Sequence, residues 1–204
     1  MAHPSWNDAY AQGFLPWDTG KPDSLLVAFV KSTKLKPTRA LEIGCGTGTN
    51  AIWLASKGFD VLGVDLAPLA VEQARAKAKG AKRVRFEVMD ILGDAPIKPV
   101  GFVFDRGCFH VFDEAKERAR FAERVASALK PGGLWLTLVG STEVKGREMG
   151  PPRRTARDIV DAIEPELEVL ELRTTEFDTQ FGPMKCWTCV SRKRKFPAAL
   201  ATGR

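Results

Sequence analysis

Leu41-Glu-Ile-Gly-Cys-Gly-Thr-Gly48, followed after a helical stretch by Val61-Leu-Gly-Val-Asp65, decides how this chain folds. A short apolar run enters a loop with glycines at 44, 46 and 48, and a second apolar run ends on a single acid. Only glycine lets a backbone turn this sharply and approach a ligand with no Cβ in between. An acid at the end of the second strand can accept both hydroxyls of a ribose. A dinucleotide fingerprint, GxGxxG, needs glycine at 49, where this chain has Thr49. The spacing therefore predicts a ligand with a ribose and no phosphate, and it disfavours a nicotinamide oxidoreductase.

Outward from that unit, strand and helix patterns alternate. Strands are expected at 39–43, 60–64, 83–88, 101–105 and 134–139. Helices are expected at 49–57, at 68–79 with Pro68 in the first turn, and from a cap at Asp113 to Leu129. Lys130-Pro-Gly-Gly133 then ends that helix, and Thr155 is placed to cap another that runs to Glu164. Two last strands, near 167–175 and 185–191, flank a turn at Gly182-Pro183, so one of them should be antiparallel. The sum is an α/β fold: a mostly parallel seven-stranded sheet with helices on both faces and an antiparallel strand at the C-terminal end. Ligands of such sheets sit at the carboxyl ends of the strands, where the winding reverses. The glycine loop, Asp65, Asp90 and Asp105-Arg106 are thus expected on one rim.

At 204 residues the chain suits one domain. We read 35–195 as that domain, 1–34 as an N-terminal helical lid segment belonging to it, and 196–204 as a flexible tail. No apolar run approaches the ~20 residues that span a bilayer, and no leader is visible at the N-terminus, so a cytoplasmic location is expected. The net charge of +6 and pI near 9.3 would permit nucleic-acid binding. Much of that charge is local, in Arg192-Lys-Arg-Lys195 and Arg153-Arg154, and attraction of small anionic substrates is the simpler reading. Oligomeric state is left open, a monomer among the options. Cys186-Trp-Thr-Cys189 has half the spacing of a zinc site, but in a strand residues three apart face opposite sides, so no metal is expected.

Trp6, Tyr10, Phe14 and Trp17 recur near helical spacing before Ser24–Lys31, which also looks helical. This aromatic stripe either packs on the sheet or forms a lid that brings an aromatic wall to the ligand. Asp90 is either a contact for an adenine amine or a surface acid.

From Leu41 to Asp65, with Asp90, Asp105 and Leu129-Lys-Pro-Gly-Gly133, the chain resembles a class I S-adenosylmethionine-dependent methyltransferase with a Rossmann-like fold. Pro16-Trp-Asp-Thr-Gly-Lys21, Asp105-Arg-Gly107 and Gly150-Pro-Pro152 narrow the resemblance to the thiopurine, thiol and halide methyltransferase group. That resemblance implies S-adenosylmethionine as cofactor, held by Trp17, Glu42, Gly44, Cys45, Gly46, Asp65, Leu66, Asp90, Ile91 and Arg106. It implies an N-terminal segment closing over the cofactor, and the methionine end lying near Arg106. Phe14, Cys108, His110 and Arg153 are the expected acceptor contacts.

A thiol, partly ionised at neutral pH, needs little activation for an in-line methyl transfer, whereas a hydroxyl needs a base or a metal. His110 is the plausible base on the rim, or else a packed side chain. Arg153 stands where an aromatic often follows the two prolines in the group, which suits an anionic acceptor or a solvated loop equally. The primary expectation is methylation of a small thiol or related soft nucleophile. A small-molecule O- or N-methyltransferase using His110 is the alternative, and a catalytically inactive cofactor-binding or RNA-binding protein is a remote one. Asp-Arg-Gly-Cys after the fourth strand lacks the tetrad of enzymes that methylate exocyclic base amines, so nucleic acid is not the expected target.

Overall fold

The computed structural model describes residues 6–93, 97–143 and 152–195. Gly150 and Pro151, and the tail at 196–204, lie outside these residues. Two short helices, α1 (Trp6–Gln12) and α2 (Ser24–Ser32), precede β1 (Arg39–Ile43). Then follow α3 (Thr49–Ser56), β2 (Asp60–Asp65), α4 (Pro68–Lys77), β3 (Val84–Val88) and β4 (Val100–Arg106). After a 3-10 turn at Phe109–Val111 come α5 (Ala115–Ala128), β5 (Leu129–Gly140), α6 (Ala156–Ile163), β6 (Leu167–Phe177) and β7 (Met184–Lys193).

The seven strands order as β3-β2-β1-β4-β5-β7-β6. β7 runs antiparallel to both neighbours, and every other pairing is parallel. Alternation along the strands builds two cores, one on each face. Leu41, Ile43, Val103 and Trp135 face α5 and α6, burying Phe121, Val125, Ile159 and Ile163. Ala40, Phe102, Phe104 and Leu136 face α2 and α3, burying Leu26, Ala51 and Leu54. Cys186 lies in the second core and Cys189 in the first, so the CxxC pair straddles the sheet. The winding reverses between β1 and β4, and the site forms there.

Several local expectations need correction. Asp113 is not the cap of α5: Glu114 holds that position without a side-chain bond, while the Asp113 carboxylate receives Arg154 at 2.6 Å. The carbonyls of Phe112 and Asp113 are taken instead by Arg118. Lys130-Pro-Gly-Gly133 is not a separate turn after α5. The chain leaves Ala128 directly into β5, Leu129 already pairs with Val100, and the register shift of β4 absorbs the Pro-Gly-Gly stretch. Asp105 is not on the rim either: it is fully buried, accepting Phe109 N–H at 3.0 Å and Trp135 Nε1–H at 2.9 Å. Thr155 does cap α6, in a reciprocal capping box with Asp158.

The aromatic stripe divides. α1 ends at Gln12 and Gly13 turns the chain at φ 71°, so Phe14 swings out and stays 63% exposed. Tyr10 is buried, with Trp17 edge-on at 6.2 Å, and Trp6 meets Trp17 at 5.8 Å. This group packs on Ala67, Leu69 and Ala70 at the start of α4. Asn7 Oδ1 accepts the Leu69 N–H at 3.0 Å, supplying to α4 the cap that Ala67 lacks. The stripe therefore sits at the rim and not on a sheet face.

Candidate active site

Three chain segments meet where β1 and β4 end. The turn after β1 carries Gly44 and Gly46 in the left-handed region, φ 66° and 53°. A Cβ on Gly44 would stand 3.0 Å from Cβ of Cys108, and one on Gly46 would stand 3.0 Å from the Tyr10 hydroxyl. Both positions thus require glycine for conformation and for close approach. Gly46 N–H donates to Asp65 Oδ2 and Ala67 N–H to Oδ1, each at 2.9 Å. Burial raises the Asp65 pKa, and these backbone bonds oppose the rise. Each oxygen keeps a further lone pair for a ligand hydroxyl.

Glu42 lies beneath the turn, 2% exposed. Its Oε1 accepts Asn50 Nδ2–H at 3.1 Å, while Oε2 is buried with no partner. Burial pushes its pKa up to about 8, against the pull of the Asn50 hydrogen bond. An unpaired carboxyl oxygen in such a place is costly unless a ligand cation satisfies it.

Residues 13–23 form a strap across the turn. The Thr47 hydroxyl donates to Asp18 Oδ2 at 2.6 Å, and Lys77 Nζ donates to Thr47 and Thr49 hydroxyls at 2.5 and 2.9 Å. Asp23 caps α2 by accepting from Leu25 and Leu26, and its own N–H donates to Asn50 Oδ1 at 2.8 Å. Arg106, leaving β4, donates through Nε to Asp23 at 2.6 Å, through Nη1 to the Trp17 carbonyl at 3.1 Å, and through Nη2 to the Asp178 carbonyl. Its guanidinium lies 4.7 Å from the Phe177 ring centroid. Gln180 in the β6–β7 turn holds the strap from the other side, donating to the carbonyls of Pro16, Leu15 and Asp18.

Strap and turn enclose an open cleft of about 550 Å³, its solvent-filled mouth included. Trp17, Glu42, Gly44, Cys45, Gly46 and Arg106 line it together. Asp18 and Lys21, from the Pro16-Trp-Asp-Thr-Gly-Lys21 motif but not singled out within it, line it as well, as do Asn50 and Asp178, which carried no motif signal in the sequence. Tyr10 was legible only as part of the stripe, yet its hydroxyl covers Gly46.

Other singled-out residues lie outside the cleft lining. Leu66 is 57% exposed just past Asp65. Asp90 is exposed, its Oδ1 accepting Leu92 N–H at 2.9 Å. The Ile91 side chain is in the core, leaving only its backbone for a ligand, and Arg124 already donates to its carbonyl. Phe14 pairs with exposed Phe181, rings 6.2 Å apart. Cys108 abuts Gly44, and burial raises its pKa well above the usual thiol value. Arg153 is half-buried without a side-chain partner among the described residues. Its neighbour Arg154 is structural, bound to the Phe112 carbonyl and Asp113.

His110 is 4% exposed. Its Nδ1 accepts the Gly140 N–H at 2.8 Å, so the ring is neutral with its proton on Nε2. Burial, with Arg154 and Arg106 nearby, lowers its pKa to about 3. This geometry argues against His110 as a general base, because one nitrogen is occupied and the other holds the proton.

Residues 1–181 match the thiopurine S-methyltransferase family model. The chain belongs to that family. It is 30% identical over 193 residues to a probable thiol methyltransferase 2 of Arabidopsis thaliana, covering 93% of this chain and 84% of the relative. A solved protein of echinomycin biosynthesis superposes with a TM-score of 0.80 at 24% identity, over 94% of this chain and 91% of that one. The Burkholderia thailandensis 1,6-didemethyltoxoflavin-N1-methyltransferase, solved with S-adenosylhomocysteine, superposes at 0.74 and 17% identity, covering 93% and 85%. The enzyme is an S-adenosylmethionine-dependent methyltransferase with the Rossmann-like fold of its class.

The residues present fit that cofactor. An α-ammonium would satisfy the orphaned Glu42 Oε2, ribose hydroxyls match the remaining lone pairs of Asp65, and the glycine turn admits a ligand at backbone distance. Buried carboxyls also suit a ligand that brings two positive charges.

Proposed function

We propose that this methyltransferase acts on a small thiol or a related soft nucleophile. The observation that carries the reading is the state of the side chains after β4. Asp105 is buried and doubly engaged, the Cys108 thiol is held neutral, and His110 Nδ1 is occupied. With no free base there, an acceptor that ionises by itself is favoured over a phenol or an amine. The family and the Arabidopsis relative support the same acceptor class. The O- or N-methyl alternative needs the base role that the His110 bond to Gly140 opposes.

Bound S-adenosylmethionine supplies a methyl group already activated on a sulfonium sulfur. In our reading Asp65 holds the ribose, Glu42 the ammonium, Gly44, Cys45 and Gly46 the passing chain, and Leu66 with Asp90 and Ile91 the adenine. Arg106 keeps two of its five N–H groups for the carboxylate, after spending three on the strap and the β6–β7 turn. Trp17 and the rest of 1–34 act as a lid over the 35–195 domain, excluding water from the transfer. Phe14, Cys108, His110 and Arg153 are proposed around the acceptor. No helix among the described residues is long and apolar enough to cross a membrane. The four cysteines are free thiols, three of them buried, which supports a reducing cytoplasmic location.

Release of S-adenosylhomocysteine from a panel of thiols, hydrogen sulfide, thiopurines, halides and phenols tests the reading. Turnover confined to sulfur acceptors is expected; turnover of phenols with none of the thiols would overturn it.

A further inference from the structure

The side chain left over by the cofactor reading is His110. It sits in the 3-10 turn after β4, beside the end of β5, two residues beyond the Cys108 that touches Gly44. Gly140 N–H fixes Nδ1 as the acceptor. The remaining polar atom, Nε2, carries the proton and has no hydrogen-bond partner among the described residues, in a ring that is 4% exposed. A buried imidazole with one bonded nitrogen and one unspent N–H is built to donate. Gly107 guards its approach: φ there is 75°, and a Cβ would stand 3.2 Å from Nε2. Glycine leaves that path clear. The charged groups facing the ring are Arg154, from the segment after β5, and Arg106, at the end of β4. Both are cations that disfavour an imidazolium, and each is paired with a carboxylate of its own, Arg154 with Asp113 and Arg106 with Asp23.

We infer that His110 Nε2–H donates a hydrogen bond to the acceptor sulfur, and that the acceptor binds as a thiolate rather than being deprotonated by the enzyme. The inference rests on the thiol reading above. The acceptor's proton leaves to water before or on binding. A lone pair of the thiolate then forms the new S–CH3 bond, and the old CH3–S bond breaks with its electrons remaining on the sulfonium sulfur, which becomes a neutral thioether. No proton passes through His110. The methylated product has lost the charge that the N–H group held, which favours its release.

Three thiols of different acidity, 4-nitrothiophenol, thiophenol and 2-mercaptoethanol, test this through pH profiles of kcat/KM. Under our inference the acid limb moves with each thiol, lying below that thiol's own pKa. His110→Asn keeps an oxygen for Gly140 N–H but loses the donor at Nε2. It should lower kcat/KM about 10-fold at neutral pH, mainly through KM, and move the acid limb upward. His110→Gln reaches the Nε2 position with an amide N–H and cannot act as a base. It should stay within about 3-fold of the parent enzyme, because the donor is what matters. S-adenosylmethionine affinity, measured by calorimetry, should be unchanged in both. A single acid limb shared by all three thiols would overturn the inference. So would equal loss of kcat in both variants. Absence of turnover with any thiol would fell the parent reading instead. The acceptor series on the unmodified enzyme decides the matter even if a variant fails to fold.

Discussion

Asp65 serves two partners with the same carboxylate. It pins the glycine turn through Gly46 and Ala67, and under our proposal its remaining lone pairs serve a ribose. Replacing it with alanine removes a charged acceptor from both. We expect Asp65→Ala to weaken S-adenosylmethionine binding by about 1.5–3 kcal/mol, the range for hydrogen bonds to a charged group, read by titration calorimetry. Unchanged affinity would exclude Asp65 from the cofactor site. Its place was legible in the sequence because an apolar run stops on that acid, whereas the two backbone N–H groups it binds were not. Arg106 was legible as a site residue and not as a clasp. Its three protein acceptors come from the strap and the β6–β7 turn, up to 89 residues away in sequence, which no local pattern records.

Elements show the same division. Helix α6 and its cap could be read from Thr155 and Asp158 alone, because a capping box is local. The start of α5 could not. The side chain expected to cap it was drawn off by Arg154, forty-one residues later. The third glycine of the turn, Gly48, is also decided at this scale. It precedes α3 with φ 79°, and an added Cβ would stand 2.6 Å from the Phe86 ring of β3. Its purpose is to let α3 close on the sheet. Gly48→Ala should cost about 1–3 kcal/mol of stability through overpacking and left-handed strain, lowering the calorimetric Tm. A Tm within error of the parent would mean that Phe86 repacks freely.

At the scale of the whole molecule, two faces of apolar packing isolate a few carboxyls from water. Glu42 has its pKa raised by burial to about 8, and Asp105 to about 6. A raised carboxyl pKa stabilises the fold fully below the unfolded value and loses that contribution as pH climbs through the folded value. The ligand-free enzyme should therefore lose stability as pH rises from about 5 to 8, with Glu42 acting across that whole window and Asp105 adding to it only up to about pH 6. Each full proton by which folded and unfolded states differ is worth about 1.4 kcal/mol per pH unit. Thermal unfolding from pH 6 to 8.5 checks this: Glu42→Gln should flatten the slope, and saturating S-adenosylmethionine should flatten it in the parent by pairing Glu42 with the ammonium. Parallel slopes in parent and variant would show that Glu42 is ionised throughout.

The positions of the strands up to β5, the glycine turn and the acid that ends β2 were written in the chain itself, because apolar periodicity, glycine spacing and helix caps act over a few residues. The strap's attachment, the burial of Asp105, the outward swing of Phe14 and the tautomer of His110 were decided only when distant segments met. Each depends on which donor and acceptor are brought together after the cores close, and hydrogen bonds between remote residues leave no periodic trace in a sequence.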